Sequence, residues 1–172
     1  MSDLYCDGGV IGANPSKVGG TWAFCIVDAG EKIKYGSSVF VPTDELPAIT
    51  NNFTEMLALI NGLRVLPDGW AGTVYSDSQI TLGRAFDGWK WSKIPDWLHR
   101  EYQVERARLD WQNIKHVLVQ GHPTKAELAA GIGSRGYPVS EFNVWCDKAS
   151  SEAGKWYLDL VKECEGDGGN HD

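Results

Sequence analysis

The sequence lacks any long apolar run and any recognisable leader segment. No stretch approaches the roughly 18 apolar residues that a membrane-spanning helix needs, so we expect no membrane partner. Residues 1–10 contain neither a basic start nor an apolar segment before a cleavage site, so no secretion signal is indicated. We therefore expect a cytoplasmic protein, and we expect it to be a monomer.

Paired cysteine motifs and an excess of basic side chains are also missing. The 4 cysteines are scattered without a CxxC pair, which argues against a zinc knuckle and gives no disulfide framework. The 16 Lys and Arg against 23 Asp and Glu give a net charge of −7, whereas nucleic-acid binders usually have a basic surface. Composition alone therefore argues against a nucleic-acid partner. Carboxylates gathered to hold divalent cations would remove this objection, because bound cations become the largest local positive charges.

The composition is typical of a globular protein. The chain has 172 residues, of which 42% are hydrophobic and 23% charged, and this length allows a single domain with a sizeable core. We expect one catalytic domain over residues 1–164, followed by a disordered tail at residues 165–172.

The apolar pattern predicts a mixed sheet with flanking helices. Aromatic and β-branched runs predict three antiparallel strands, and apolar residues at helical spacing predict a helix between Thr50 and Pro67. Helices and strands then alternate, which is typical of an α/β fold. The predicted strands cover residues 2–7, 20–28, 33–41, 72–77 and 114–120, and the predicted helices cover residues 53–66, 79–86, 96–109 and 142–162. Residues 124–140 are predicted to be largely loop, with a helical turn at 126–130.

Three carboxylates lie at the ends of apolar strands or in the apolar helix, where an acidic side chain lowers stability unless it has a functional role. Asp7 ends the first strand, Asp77 ends the fourth, and Glu55 lies in the first turns of the apolar helix. If the first and fourth strands are neighbours, their ends meet, and ligands of open sheets bind at strand ends. Converging carboxylates raise one another's pKa, a state that a divalent cation relieves, and oxygen ligands favour Mg²⁺ or Mn²⁺. For any single acid, a cap or a solvated charge is the more frequent role.

Five motifs in a fixed order carry a resemblance to a known family. They are Cys6-Asp7-Gly8-Gly9, Thr50-Asn51-Asn52-Phe53-Thr54-Glu55, Tyr75-Ser76-Asp77-Ser78-Gln79, Gly121-His122 and Asn143-Val144-Trp145-Cys146-Asp147. In this order, and over nearly the whole chain, they resemble ribonuclease H of type 1. The resemblance implies an α/β ribonuclease H-like fold. In that fold a five-stranded mixed sheet, with three antiparallel strands followed by two parallel ones, is flanked by helices.

The resemblance also implies an activity, which is hydrolysis of the RNA strand of RNA/DNA hybrids by an endonuclease. The matching acids are Asp7, Glu55, Asp77 and Asp147, and they would bind two Mg²⁺ ions, for which Mn²⁺ substitutes. Cleavage would leave 5′-phosphate and 3′-hydroxyl ends. His122 takes the position of the family's catalytic histidine on a mobile loop.

Several polar residues fall on positions that contact the substrate in this family. The residues that we expect to bind substrate are Asn14, Thr50, Asn51, Asn52, Gln79, Asn143 and Trp91. The amides match contacts to sugar and base edges, where the 2′-hydroxyl distinguishes RNA from DNA. Thr50 resembles a phosphate-binding threonine, although a helix N-cap is an alternative role. Trp91 lies where many members carry a basic handle, and both stacking on the substrate and packing in the core stay open.

The chain departs from the pattern between His122 and Asp147, where it is longer than the bacterial enzymes and carries Lys125, Arg135 and several glycines. This segment could close over the substrate, bind a partner or place His122 differently. Two other functions also stay open. The fold could serve a DNA exonuclease or a junction resolvase, or the acidic chain could be a binding module without catalysis. The presence of all four acids favours an enzyme.

Overall fold

The computed structural model describes residues 1–166. Its elements follow one another in the alternation that the apolar pattern predicts, and a short 3₁₀ turn at Trp111–Asn113 precedes the last strand. In chain order they are β1 (Asp3–Val10), β2 (Gly20–Asp28), β3 (Glu31–Phe40), α1 (Asn51–Arg64), β4 (Thr73–Ser76), α2 (Gln79–Phe86), α3 (Asp96–Arg108), β5 (Lys115–Leu118), α4 (Lys125–Ala130) and α5 (Glu141–Gly166).

The sheet has the strand order β3-β2-β1-β4-β5. β1 pairs antiparallel with β2, and β2 pairs antiparallel with β3. β4 lies parallel to β1 on its other side, and β5 lies parallel to β4. The predicted fold class is therefore confirmed. Because β1 and β4 run side by side in the same direction, the residues that follow their paired segments meet at one edge of the sheet.

The larger part of the core lies between the sheet and α1. Leu4 and Cys6 of β1 are fully buried there against Met56 and Ile60 of α1. Burying one such aliphatic side chain contributes about 1.5–3 kcal/mol. Thr50 caps the helix, since its side chain accepts a hydrogen bond from the backbone N–H of Phe53 at 3.2 Å. Such a cap contributes about 1 kcal/mol and fixes where the helix begins.

The opposite face of the sheet is covered by α5. Tyr5, Cys25 and Val27 alternate with the residues that face α1, and they pack against Cys146 of α5. Tyr5 also stacks on Tyr75, with ring centroids 4.5 Å apart. The cysteines of the described chain are unbridged, as expected, and only one of them is exposed. The sheet is thus held between α1 and α5, which fixes the edge where Asp7 and Asp77 lie.

The tryptophan-rich segment before α3 packs onto the domain. The indole of Trp91 stacks on His99 at 4.3 Å between ring centroids, and its Nε1 donates a hydrogen bond to the backbone oxygen of Arg84 at 3.2 Å. Trp97 lies against Phe40 and Phe53. These contacts give Trp91 a packing role, so its predicted contact with substrate stays a prediction.

Several boundaries differ from those that the sequence predicts. β1 continues to Val10, because its pairing with β2 extends to Gly20, so Asp7 lies within the strand instead of at its end. Residues 124–140, predicted to be largely loop, are more ordered than expected. A capping box of Thr124 and Glu127 begins α4, and a β-bridge between Ile132 and Pro138 follows that helix. α5 extends to Gly166, two residues into the predicted tail, and the rest of that tail, residues 167–172, lies outside the described residues. Within residues 1–166, no helix has both the length and the apolar character of a membrane span.

Candidate active site

Three carboxylates meet at the edge of the sheet where β1 and β4 lie side by side. Asp7 lies within β1, Asp77 directly follows β4, and Glu55 lies in the second turn of α1. One oxygen of each lies within 4.8 Å of the others. The sequence places these residues far apart, and the parallel pairing of β1 with β4 brings two of them together.

A glycine allows the third carboxylate to reach the other two. Gly8 lies against the start of α1 so closely that a Cβ atom there would collide with backbone atoms of Thr54 and Glu55. Only a residue without a side chain leaves room for this approach. The glycine next to Asp7 therefore fixes the separation between β1 and α1, and with it the position of Glu55.

The cluster is electrostatically unfavourable by itself. Burial raises the pKa of Asp7 well above its usual range, and the charges of Asp77 and Asp147 raise it further. Burial and the charge of Asp7 likewise raise the pKa of Glu55, and burial raises that of Asp77. Oε2 of Glu55 is buried and has no hydrogen-bond partner among residues 1–166. Such a group needs either a proton or a cation.

Asp147 lies at the open side of the cluster. It projects from α5 and, with Asp7, lines a cavity of about 230 Å³ between the sheet and that helix. Its Oδ2 is 3.3 Å from Nδ1 of His122, whose side chain is 81% exposed. The structure thus brings the fourth predicted acid and the predicted histidine to the same edge as the three buried carboxylates.

Asn143 is a buried residue of α5 that contacts the cluster. It is 1% exposed, and its Nδ2 donates a hydrogen bond to Oδ2 of Asp77 at 3.4 Å. This hydrogen bond opposes the increase in the pKa of Asp77. The burial of Asn143 does not support its predicted contact with substrate, and we interpret it as a residue that positions Asp77.

The residues present fit a divalent cation. All donors at the site are carboxylate oxygens, which are the ligands that Mg²⁺ and Mn²⁺ prefer. Mutual repulsion and the unpartnered oxygen of Glu55 are both relieved by positive charge placed among them. The identity of the metal does not follow from these donors, because both ions accept the same ligands.

A second cavity lies beside the N-terminus of α1. Its volume is about 310 Å³, and it is lined by Asn14, Pro15, Thr50, Asn52, Arg84, Ser92 and Lys93. Asn14 is tied to the start of the helix, because its Oδ1 accepts a hydrogen bond from the backbone N–H of Asn51 at 3.2 Å. Three of the residues predicted to bind substrate, Asn14, Thr50 and Asn52, therefore share one cavity with two basic side chains.

Arg84 is the residue in this cavity that the sequence analysis missed. It is 8% exposed, its Nε donates to the backbone oxygen of Lys90 at 3.1 Å, and one terminal nitrogen donates to that of Ser92 at 2.9 Å. The other terminal nitrogen is buried without a partner in the described chain. Burial lowers the pKa of Arg84 from its ordinary value. A basic residue between the buried Leu82 and Ala85 of α2 is the signal that could have revealed it.

Other predicted contacts lie at the margin of the site. Asn51 and Gln79 are exposed at the starts of α1 and α2. Lys155 of α5, which the sequence analysis also missed, lines the cavity that holds Asp7 and Asp147. The cluster itself consists of carboxylates, so a bound cation or a proton would relieve its mutual repulsion.

The raised pKa values predict how stability depends on pH without metal. The folded chain retains protons that the unfolded chain releases above about pH 4. The cluster therefore favours folding below that pH and costs stability as the pH rises toward the raised pKa values. In chelator, the melting temperature of the wild type should fall more between about pH 5 and about pH 7 than that of Glu55→Gln, by a few degrees.

Thermal unfolding followed by circular dichroism measures this difference. Glu55→Gln removes one buried charge while keeping the shape of the side chain, so it serves as the matched control. Saturating Mg²⁺ should stabilise the wild type and remove most of its disadvantage at neutral pH. Parallel melting curves for the two proteins at both pH values would contradict the electrostatic interpretation of the cluster.

Known proteins resemble this chain in sequence and in fold. No family profile matches it. A ribonuclease H from Cupriavidus necator is 31% identical over 144 residues, which are 80% of this chain and 86% of the relative. A ribonuclease H from Chlorobium luteolum is 28% identical over 152 residues, which are 87% of this chain and 92% of the relative.

Two solved structures share the fold. The N-terminal RNase H domain of a Mycobacterium tuberculosis protein, solved as a fusion with maltose binding protein, has a TM-score of 0.61 and 18% identity over 93% of this chain and 97% of that one. LC11-RNase H1 in complex with an RNA/DNA hybrid has a TM-score of 0.62 and 21% identity over 92% of this chain and 99% of that one. With the relatives from Cupriavidus and Chlorobium, these similarities confirm the family that the five motifs predict: the chain belongs to the ribonuclease H family.

Proposed function

We propose that this chain is an endonuclease that hydrolyses the RNA strand of RNA/DNA hybrids. The observation that carries the proposal is the convergence of Asp7, Glu55 and Asp77 at one sheet edge, with an unpartnered buried oxygen on Glu55. Membership of the ribonuclease H family supports it. A further support is that LC11-RNase H1, which shares the fold, was solved with an RNA/DNA hybrid.

The four acids would hold two divalent cations, which we take to be Mg²⁺ with Mn²⁺ as a substitute. Asp7, Glu55 and Asp77 supply ligand atoms within 4.8 Å of one another, and Asp147 adds a carboxylate at the open side. When bound, such ions activate the attacking water and stabilise the leaving 3′ oxygen, which leaves a 5′-phosphate on the product. Asn143 keeps Asp77 oriented for this task through its hydrogen bond.

His122 is placed to move protons at the edge of the site. Its side chain is 81% exposed, and its Nδ1 lies 3.3 Å from Asp147. An imidazole in contact with both solvent and a carboxylate is placed to act as a general acid or base. We assign to this histidine either proton transfer beside the scissile phosphate or assistance in releasing the product after cleavage.

The second cavity would bind a phosphate of the substrate. Arg84 lines it and has one terminal nitrogen without a hydrogen-bond partner among residues 1–166, and Lys93 adds a further positive charge. Thr50 caps α1 and lines the same cavity, so its cap role and its predicted phosphate contact are compatible. Because positive charge is concentrated here, a chain with a net charge of −7 can still grip a polyanion.

Recognition of RNA is assigned to the amide side chains near this cavity. Asn14 and Asn52 line it, Asn51 is exposed between the lining residues Thr50 and Asn52, and Gln79 is exposed at the start of α2. Amides can donate to and accept from a 2′-hydroxyl, which only RNA carries. We therefore expect these residues to lie along the minor groove of the hybrid and to reject a duplex made of DNA alone.

We also propose that residues 1–164 form one catalytic domain that acts as a monomer. One chain supplies every carboxylate of the site, so a second copy is not needed to complete it. A cytoplasmic setting stays a prediction from the sequence.

A panel of labelled substrates tests the proposed function. An RNA/DNA hybrid, single-stranded RNA, duplex RNA, duplex DNA and a four-way DNA junction are incubated with the protein in Mg²⁺ and in Mn²⁺. Cutting should be confined to the RNA of the hybrid and should leave 5′-phosphate ends. Cleavage of duplex DNA or of the junction, with the hybrid intact, would favour an exonuclease or a resolvase instead. Intact substrates throughout, from folded protein, would favour a binding module.

A further inference from the structure

The segment between His122 and Asp147 is an ordered unit rather than a slack loop. Both carboxylate oxygens of Glu127 accept backbone hydrogen bonds, one from Thr124 at 2.8 Å and one from Ser134 at 2.8 Å. The first hydrogen bond caps the N-terminus of α4, and the second links the turn after α4 to that helix. We call residues 132–138 the inserted hairpin, because a β-bridge joins Ile132 to Pro138.

The inserted hairpin is anchored next to the carboxylate cluster. The backbone N–H of Gln120 donates to the oxygen of Pro138 at 2.9 Å. Gly133 lies against the side chain of Gln120 so closely that a Cβ atom there would collide with it. Gly121, which follows Gln120, lies against Asp77. A Cβ atom added to Gly121 would be only 2.8 Å from Oδ2 of that carboxylate. The hairpin is therefore held at the sheet edge where the cluster lies.

The chemistry of this unit differs from that of the chain as a whole. From residue 120 to residue 140 the sequence has one acidic residue, Glu127, and two cations, Lys125 and Arg135. The two carboxylate oxygens of Glu127 are occupied by backbone N–H groups. The guanidinium of Arg135 lies over the ring of Tyr137, with its central carbon 5.6 Å from the ring centroid. This contact is in the range of a cation–π interaction, which holds the cation in place while leaving its N–H groups available.

We propose that Arg135, held by Tyr137, binds the sugar–phosphate backbone of the substrate beside the scissile bond. The inference rests on the proposed function and adds a contact from the inserted hairpin, which is held next to Asp77 through Gln120 and Gly121. A guanidinium forms paired hydrogen bonds with phosphate oxygens. A contact at the edge of the site would hold the substrate without taking part in the chemistry, so it should affect KM and leave kcat almost unchanged.

Steady-state cleavage of the hybrid by Arg135→Ala tests the inference. The matched control is Arg106→Ala, because Arg106 also lies over an aromatic ring, 5.8 Å from the centroid of Trp111, just before β5 begins at the opposite edge of the sheet. Arg135→Ala should raise KM about five- to tenfold with kcat nearly unchanged, and should reduce the slope of log affinity against log salt by about 0.9. Arg106→Ala should change neither.

Two further variants separate positioning from folding. Tyr137→Phe keeps the ring and should behave as the wild type, whereas Tyr137→Ala should raise KM in the same direction as Arg135→Ala. Equal KM values and salt slopes for Arg135→Ala and Arg106→Ala would overturn the inference and leave the proposed function intact. Failure of the wild type itself to cut the hybrid would overturn the proposed function, and with it this inference.

Discussion

Asp77→Asn is expected to reduce hydrolysis of the hybrid by on the order of 10³-fold, since a single electrostatic contribution of this kind is worth about 10²–10³ in rate. Asp77 shares the cluster with the buried Asp7 and Glu55 and is itself only partly buried, and the amide of Asn143 donates a hydrogen bond to it. Replacing one carboxylate oxygen by an amide nitrogen removes a negative charge and a cation ligand without changing the size of the side chain. The loss should appear in kcat at saturating Mg²⁺.

The same variant should fold at least as well as the wild type when metal is absent. Removing one charge from a buried cluster whose members raise one another's pKa relieves repulsion. In chelator we therefore expect the melting temperature of the variant to equal or exceed that of the wild type. Added Mg²⁺ should raise the melting temperature of the variant less than that of the wild type. A variant that is inactive because it is unfolded would contradict this prediction, and so would one with full activity.

Gly8→Ala is expected to lower the free energy of unfolding by roughly 3 kcal/mol and to abolish most of the activity. The added Cβ would collide with backbone atoms of Thr54 and Glu55, and backbone cannot turn aside as a flexible side chain can. β1 and α1 must then separate. This displaces Glu55 from Asp7, so the variant should lose metal affinity together with stability.

The neighbouring glycine provides a matched control for this substitution. A Cβ atom at Gly9 would meet only side-chain atoms, the nearest being the hydroxyl oxygen of Thr21 at 3.0 Å. Gly9→Ala should therefore cost much less stability than Gly8→Ala. Chemical denaturation measures both changes, and titration calorimetry with Mn²⁺ measures the metal affinity. Equal stability losses in the two variants would show that the approach of α1 to Gly8 is not as restrictive as the structure indicates.

The sheet and the carboxylate cluster could be predicted because their signals are local in sequence. Apolar periodicity and turn residues located the strands and α1 to within a few residues. The motifs around Asp7 and Glu55 lie in β1 and at the start of α1, and the motif around Asp77 runs from β4 into α2. The parallel pairing of β1 with β4 brings Asp7 and Asp77 together as expected. Strand order itself came from the family resemblance, since apolar patterns do not specify which strands are neighbours.

The surroundings of the cluster were less predictable because they depend on contacts between distant residues. Arg84 lines the second cavity, beside the N-terminus of α1, only because α2 packs beside the segment that contains Lys90 and Ser92. Trp91 is equally suited by composition to bind a nucleic acid or to pack, and its contacts with His99 and Arg84 settle its place in the fold. The burial of Asn143 also follows from tertiary packing.

Residues 124–140 show a further reason why prediction from sequence was incomplete. Their glycines are typical of a loop. The ordering comes from backbone hydrogen bonds around the bridge between Ile132 and Pro138, and from Glu127, whose side chain accepts hydrogen bonds from two separate turns. Thr124 and Glu127 form a capping box at the start of α4, where the sequence analysis predicted only a helical turn. The bond from Ser134 could not be predicted, because it depends on how the chain returns after α4.

The most direct test is cleavage of a hybrid labelled on each strand in turn, with Mg²⁺, with chelator, and with Mg²⁺ restored after the chelator. Wild-type protein should cut only the RNA strand, stop in chelator and recover when metal is restored, while Asp77→Asn stays inactive throughout. Cutting that continues in chelator, that includes the DNA strand, or that persists in the Asp77→Asn variant would contradict hydrolysis of hybrid RNA at the carboxylate cluster.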